Sequence, residues 1–300
     1  MKYLKARLCL PCLIVLIQLS DACAQAPDAS IRLPNGWSLS PAGTSISLGD
    51  LPLAMSVSSS GKWMAVTNNG QSQQNIQLID PAGLKVVDSI RVHAAWLGLT
   101  FSADEHFLFA SGGNDNFILQ LGIKEGHLTP YDTLRLGKAW PEKISPAGLA
   151  IDDKTQLLYV VTKENNSLYI FDINQRKVVG QYALPSEGYA CLLSTDHRKL
   201  YVSCWGASKV KVFDTAKRIF TKDYPVGDHP NDMCLARKSE LLFVANANDN
   251  SVSVINLRTD KVVETLNAAL YPQAPSGSTT NSVALSKDEH TLYVANADNN

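Results

Sequence analysis

The feature that most constrains the fold of this chain is a phrase that it repeats. Leu241-Leu-Phe-Val-Ala-Asn-Ala-Asn-Asp-Asn-Ser-Val-Ser-Val-Ile-Asn256 reads as two short strands joined by a polar loop. Leu242, Val244, Val252 and Val254 alternate with other side chains at a strand's period of two. Residues 245–251 are rich in Asn and Asp, which tolerate turn geometry and bond to nearby backbone. Residues 158–172 match the whole phrase, and residues 292–300 nearly duplicate its first half. Aligned on the middle of the second strand of each unit, the anchors are Val66, Ala110, Val160, Val202, Val244 and Val294, spaced by 44, 50, 42, 42 and 50 residues. That period belongs to propeller blades of four strands. Helical solenoids would instead show a 3.6-residue pattern.

Each unit has one grammar. A short apolar strand A comes first, as in Gly148-Leu-Ala-Ile151 or Ser282-Val-Ala-Leu285. A tight polar turn follows, as in Ser102-Ala-Asp-Glu-His106 or Ser286-Lys-Asp-Glu-His290, and strand B then carries the anchor. Strand C reads Asn75-Ile-Gln-Leu-Ile-Asp80, Ser167-Leu-Tyr-Ile-Phe-Asp172, Lys209-Val-Lys-Val-Phe-Asp214 or Ser251-Val-Ser-Val-Ile-Asn256. Strand D follows another turn, as in Lys177-Val-Val-Gly-Gln-Tyr182. The expected fold is all-β: a propeller of four-stranded antiparallel blades whose radial packing limits exposed sheet edges. Seven blades are expected in the full protein, with about five complete and parts of others within 1–300. Gly49-Asp50-x-Pro52 aligns with Gly227-Asp228-x-Pro230, so residues 44–48 are expected to be an outer strand that closes the last blade. The propeller then spans 44–300, after a lead-in at 25–43, as the front of a longer chain.

Residues 1–24 read as a secretory signal peptide. Lys2, Lys5 and Arg7 precede an apolar run at 8–19 that is too short to span a bilayer. Ala22-Cys23-Ala24 supplies the small residues of a cleavage site after Ala24. The rival is a lipoprotein anchored at Cys23, where Ser20 and Asp21 fit poorly. The expected location is periplasmic or secreted, with no transmembrane segment once the signal is removed. A net charge of −1 gives no broad reason to expect nucleic acid or an anionic surface as partner. The mature chain keeps Cys191, Cys204 and Cys234, with no Cys-x-x-Cys or His-x-x-x-His spacing. They read as small buried thiols, and no metal or cofactor is expected.

Ser286-Lys-Asp-Glu with Leu292-Tyr-Val-Ala-Asn296, and Leu158-Tyr-Val-Val-Thr162 with Leu168-Tyr-Ile-Phe-Asp172, resemble the YVTN-repeat family of bacterial seven-bladed propellers, which is related to lactonase-like and surface-layer-type propellers. Leu33-Pro-Asn-Gly-Trp37, Ala65-Val-Thr-Asn-Asn-Gly70, Trp96-Leu-Gly98 and Ser111-Gly-Gly-Asn-Asp115 look like secreted bacterial proteins that join such a propeller to a C-terminal phosphoesterase of the alkaline phosphatase superfamily. The resemblance implies an accessory propeller for a hydrolase whose metals and nucleophile lie in the other domain. No catalytic residue is therefore expected within 1–300. The partner would be that downstream domain or a periplasmic or extracellular ligand. The alternative is a propeller enzyme of lactonase type, for which Glu164, His229 and Asp232 are the only suggestive trio.

In a four-stranded blade the D-to-A and B-to-C connections emerge on one face, and blades converge on the axis. That face collects Asn68, Asn69, Trp96, Asn114, Tyr189, Trp205, His229, Asn231, Asp232, Asn246, Asn281 and Asn296, which become candidate ligand-binding residues around a channel mouth. Asn and Asp in tight connections also bond their own backbone, which is the plainer reading of Asn246, Asn248, Asp249 and Asn296. Trp96, Tyr189, Trp205 and His229 break the repeat. His106, His197 and His290 fall in the A-to-B turns of the opposite face and read as turn residues.

Overall fold

The computed structural model describes residues 31, 32, 36, 38, 39, 43–269, 271, 273–277 and 279–297. The chain divides into two compact units, Met1–Ser45 and Ile46–Asn300. In the first, β1 (Ile31–Arg32) and β2 (Ser38–Leu39) pair antiparallel. The expected signal peptide lies outside the described residues.

The second unit is a β-propeller built from consecutive strands. Blade one holds β3 (Pro52–Val57), β4 (Met64–Asn68), β5 (Asn75–Asp80) and β6 (Lys85–Arg91). Blade two holds β7 (Leu99–Phe101), β8 (Phe107–Ser111), β9 (Phe117–Lys124) and β10 (His127–Arg135). Blade three holds β11 (Pro146–Asp152), β12 (Leu157–Thr162), β13 (Ser167–Asp172) and β14 (Lys177–Ala183). Blade four holds β15 (Gly188–Leu193), β16 (Lys199–Cys204), β17 (Lys209–Asp214) and β18 (Ile219–Pro225). Blade five holds β19 (Pro230–Ala236), β20 (Leu241–Asn246), β21 (Ser251–Asn256) and β22 (Lys261–Asn267). A sixth sheet pairs β23 (Thr280–Leu285) with β24 (Leu292–Asn296). The inner strands β3, β7, β11, β15, β19 and β23 touch in that order. Five complete blades and part of another agree with the sequence reading.

The anchors are paired alike in all six sheets: Met55 with Val66, Leu99 with Ala110, Leu149 with Val160, Cys191 with Val202, Met233 with Val244 and Val283 with Val294. In five of these sheets the inner strand carries a bulge just after its start, as between Pro146 and Leu149 or Pro230 and Met233. A bulge of this kind bends a strand and re-aims its side chains. The strand C of blades one, three, four and five ends on Asp80, Asp172, Asp214 or Asn256, and each side chain starts the next turn. Asp214 Oδ1 accepts from the backbone N–H of Ala216 and Lys217, and Asn256 Oδ1 accepts from Arg258 and Thr259. The last turn residue, Leu84, Arg176, Arg218 or Asp260, is left-handed, at φ 48, 53, 56 and 62°.

The apolar alternation does not separate core from solvent. It separates one inter-blade core from the next. In β12, Leu158 and Val160 pack with Phe109, Ile118 and Leu134 of blade two. The intervening Tyr159 and Val161 pack with Leu200, Val202 and Phe213 of blade four. In β20, Leu242 and Val244 join Tyr201 and Val212, while Ala245 joins Val283. A strand apolar in both phases is what a sheet buried on both faces requires.

Residues 44–49 form no strand. The equivalent run in blade four, Tyr224 and Pro225, gains its strand geometry by pairing with Val210 and Lys209.

Candidate ligand-binding site

Two cavities lie where the blades converge. The larger one, about 510 Å³, runs between the inner strands and is mostly apolar, with Leu53, Met55, Leu99, Leu192 and Met233 in its wall and the Asp232 carboxylate as its one acid. The other, about 270 Å³, opens among the D-to-A and B-to-C loops. Leu97, Tyr189 and Asn281 line both.

The mouth cavity draws its polar and aromatic groups from two parts of the repeat, the approach to and start of strand A and the loop after strand B. Trp96 precedes β7, Lys163 follows β12, and Glu187 precedes β15, which carries Tyr189. Trp205 opens a short 3-10 turn (Trp205–Ala207) after β16. Asn231 lies in β19, Asn248 follows β20, and Asn281 lies in β23. Lys163 Nζ sits 5.5 Å from the centre of the Trp96 ring. Buried Asn231 donates from Nδ2 to Asn281 Oδ1 at 2.7 Å, while its own Oδ1 is buried without a partner among the described residues. Burial pushes the Tyr189 phenol up to about 12, with the nearby Asp232 carboxylate adding to it, so the hydroxyl stays protonated. Burial also raises the Asp232 carboxyl, against hydrogen bonds from Ser282 Oγ (2.5 Å) and the backbone N–H of Val283 and Met233.

Among the sequence candidates, Trp96, Tyr189, Trp205, Asn231 and Asn281 meet in the mouth cavity, and Asp232 lines the larger one. His229 flanks the cavity: its ring meets Trp205 edge-on at 4.2 Å, and its Nδ1 lies 2.8 Å from Asp228 Oδ1. Burial is the largest single effect on Asp228 and raises its carboxyl, but Asn248, His229 and Ser208 together outweigh it and hold the carboxyl below the usual range. The other candidates are engaged within the scaffold. Asn68 Nδ2 bridges Asn75 and Gln77, and Asn246 Nδ2 bridges Ser251 and Ser253, each within one blade. Asn69 donates to the carbonyl of Ala95. Asn114 accepts from Ser145 Oγ at 2.8 Å. Asn296 joins Thr280 and the carbonyl of Ala268.

Sequence reasoning passed over Lys163, Glu187 and Asn248 as cavity residues. Lys163 and Asn248 sit in loops it marked, and Glu187 occupies the slot just before strand A that holds Leu51, Ser145 and His229 elsewhere. The trio of Glu164, His229 and Asp232 is not joined: Glu164 is exposed, His229 pairs with Asp228, and Asp232 with Ser282.

Cys191, Cys204 and Cys234 are free thiols. Burial pushes each up to about 12, so none is a thiolate at neutral pH. Among the described residues no group of three or more His, Cys, Asp or Glu is placed to hold a metal ion. On the opposite face, His106 lies 3.1 Å from Asp104 in its own turn, whereas His197 reaches Asp152 of blade three at 2.8 Å.

The fold and its cavities define a class: a β-propeller with a ligand-sized recess at the loop face of its axis. No protein-family model and no curated protein matches the chain.

Proposed function

We propose that the chain is an exported recognition propeller that binds its ligand at the channel mouth and serves as the accessory domain of a longer phosphoesterase-type protein. The mouth cavity carries this reading. Loops and inner strands from five blades converge there, with aromatic rings, amides, one exposed Lys and one Glu, and no joined acid–base pair. A concave recess with a few convergent polar groups suits binding. Export is supported by the charged, apolar and small-residue pattern of residues 1–24. The hydrolase partner is supported by the resemblance of the 65–70, 96–98 and 111–115 segments to propeller–phosphoesterase fusions.

The recognition reading is tested by immobilising the mature protein and a Trp96→Ala/Trp205→Ala variant of equal thermal stability and passing the same cell-envelope extract over both. Selective retention by the unaltered protein alone is expected, and identical retention overturns the reading. N-terminal sequencing of the protein recovered outside the cytoplasm is expected to begin at Gln25. An intact Met1 overturns export. The coding sequence beyond residue 300 is expected to specify a metal-binding hydrolase domain, and any other domain there removes that part of the proposal.

A further inference from the structure

We propose that the mouth cavity binds one neutral sugar ring of a saccharide, an inference that rests on the recognition reading and gives it a ligand class. Three observations lead there. First, the cavity joins aromatic rings to amides. Trp96 and Trp205 come from non-adjacent blades, and Tyr189 lines both this cavity and the larger one. An indole face matches the C–H face of a pyranose, which is apolar, while the ring's edge bears hydroxyls.

Second, the polar groups are set for a partner that both donates and accepts. Asn231 is 3% exposed, its amide is pinned by the bond to Asn281, and its Oδ1 has no partner among the described residues. A buried acceptor left without a donor costs roughly 1–3 kcal/mol. A donor arriving with a ligand, directly or through one water, recovers that cost. Asn281 spends its Oδ1 on Asn231, which leaves its amide N–H groups as donors beside that acceptor. The Tyr189 hydroxyl, kept protonated by burial, can act in both senses. Vicinal hydroxyls, each a donor and an acceptor, satisfy such a set. A phosphate or carboxylate, which only accepts, would leave Asn231 Oδ1 unmet.

Third, the cavity carries one charge of each sign. Lys163 and Glu187 both line it, and neither forms an ion pair among the described residues. Lys163 is exposed and lies against the Trp96 ring. A balanced rim gives no pull toward a charged ligand. The volume of about 270 Å³ suits one ring rather than a polymer, so a chain would enter by its end.

The test is calorimetric titration of the full chain with glucose, galactose, mannose and N-acetylglucosamine, each free and as a β-linked disaccharide, and with the zwitterionic dipeptide alanylglutamine. At least one saccharide is expected to bind saturably at one site per chain. Trp205→Ala and Asn281→Ala are each expected to weaken that saccharide at least tenfold. Trp205→Phe, which keeps an aromatic face, is expected to restore most of it, and Lys85→Ala, at a C-to-D turn, to leave it unchanged. Thermal melts of each variant separate lost binding from lost fold. Saccharide binding that is indifferent to Trp205→Ala and Asn281→Ala overturns the proposal. Binding of the dipeptide alone, with the same dependence on Trp205, overturns the saccharide and keeps the recognition site. Heat from neither also overturns the saccharide, and the extract-retention experiment then decides the recognition reading by itself.

Discussion

At the scale of single residues, the loops that build the mouth rest on a repeated contact between a glycine and an asparagine. Gly227 crosses over Asn246, and a Cβ there would lie 2.6 Å from its Cγ and Nδ2. Gly49 does the same over Asn68, at 2.7 Å. Neither glycine has a positive φ, so close approach rather than turn geometry excludes a side chain. Asn246 cannot yield cheaply, because it is fully buried and its Nδ2 holds Ser251 and Ser253 at 2.9 Å each. Gly227→Ala is expected to destabilise by about 1–3 kcal/mol, as overpacking does. Chemical denaturation measures this, and an unchanged midpoint would refute it. The Gly-Asp-x-Pro correspondence is legible in the sequence, and the structure repeats it in detail: Leu51 and His229 are both left-handed, at φ 52 and 54°. What the two glycines avoid is not legible, because the obstructing asparagine lies in another strand.

At the scale of strands and turns, a hydroxyl late in strand B ties each of three blades to the next. Thr67 Oγ1 donates to Trp96 O at 3.2 Å, Ser111 Oγ to Pro146 O at 2.5 Å and Ser203 Oγ to Asn231 O at 2.8 Å. Two of those carbonyls belong to residues of the mouth cavity, so the ties fix the backbone of the site. Ser203 also accepts from the backbone N–H of Ala190 at the inner-strand bulge. Ser203→Ala is expected to cost about 1–3 kcal/mol by stranding these buried groups, and to weaken any mouth ligand with it. A fully stable variant with unchanged binding would show that the tie is dispensable. Val161 and Ala245 hold the same place in blades three and five, so only some interfaces carry the tie. On the opposite face, Ser286 with Asp288 makes the same turn as Ser102 with Asp104 and Ser194 with Asp196, each Ser Oγ donating to Asp Oδ1 at 2.6 Å. The Ser102 and Ser194 hydroxyls, with the backbone N–H of His106 and Arg198, hold the Asp104 and Asp196 carboxyls below the ordinary value of 3.8. A folded value below the unfolded one means stability that is full above about pH 4 and lost as pH falls through the folded value. Asp104→Asn/Asp196→Asn is therefore expected to lose less melting temperature than the unaltered protein between about pH 5 and pH 3. Parallel losses would refute that assignment.

At the scale of the whole molecule, the cores lie between blades, not within them, so no blade keeps its apolar surface buried alone. Each core in the chain from blade one to blade six takes residues from two neighbours. Cys191 and Cys204 sit in the core shared by blades three and four, both buried. Neither is expected to react with a thiol reagent at neutral pH until denaturant opens that interface, and both are expected to appear together. Labelling of either in native buffer would contradict this. The repeat period, the order of the strands and the four-strand grammar can all be read from the chain, because each depends on local alternation and on turn residues that bond their own neighbours. The five-blade convergence at the mouth, the buried Asn231 Oδ1 with no partner among the described residues, the place of Lys163 and Glu187 beside the tryptophans, and the confinement of Asn68 and Asn246 to their own blades were decided only by the tertiary structure. An asparagine in a loop looks the same in sequence whether it bonds a serine in the next strand or lines a cavity. Which it does depends on groups brought together from as many as five blades, and spacing along one chain carries no record of that distance.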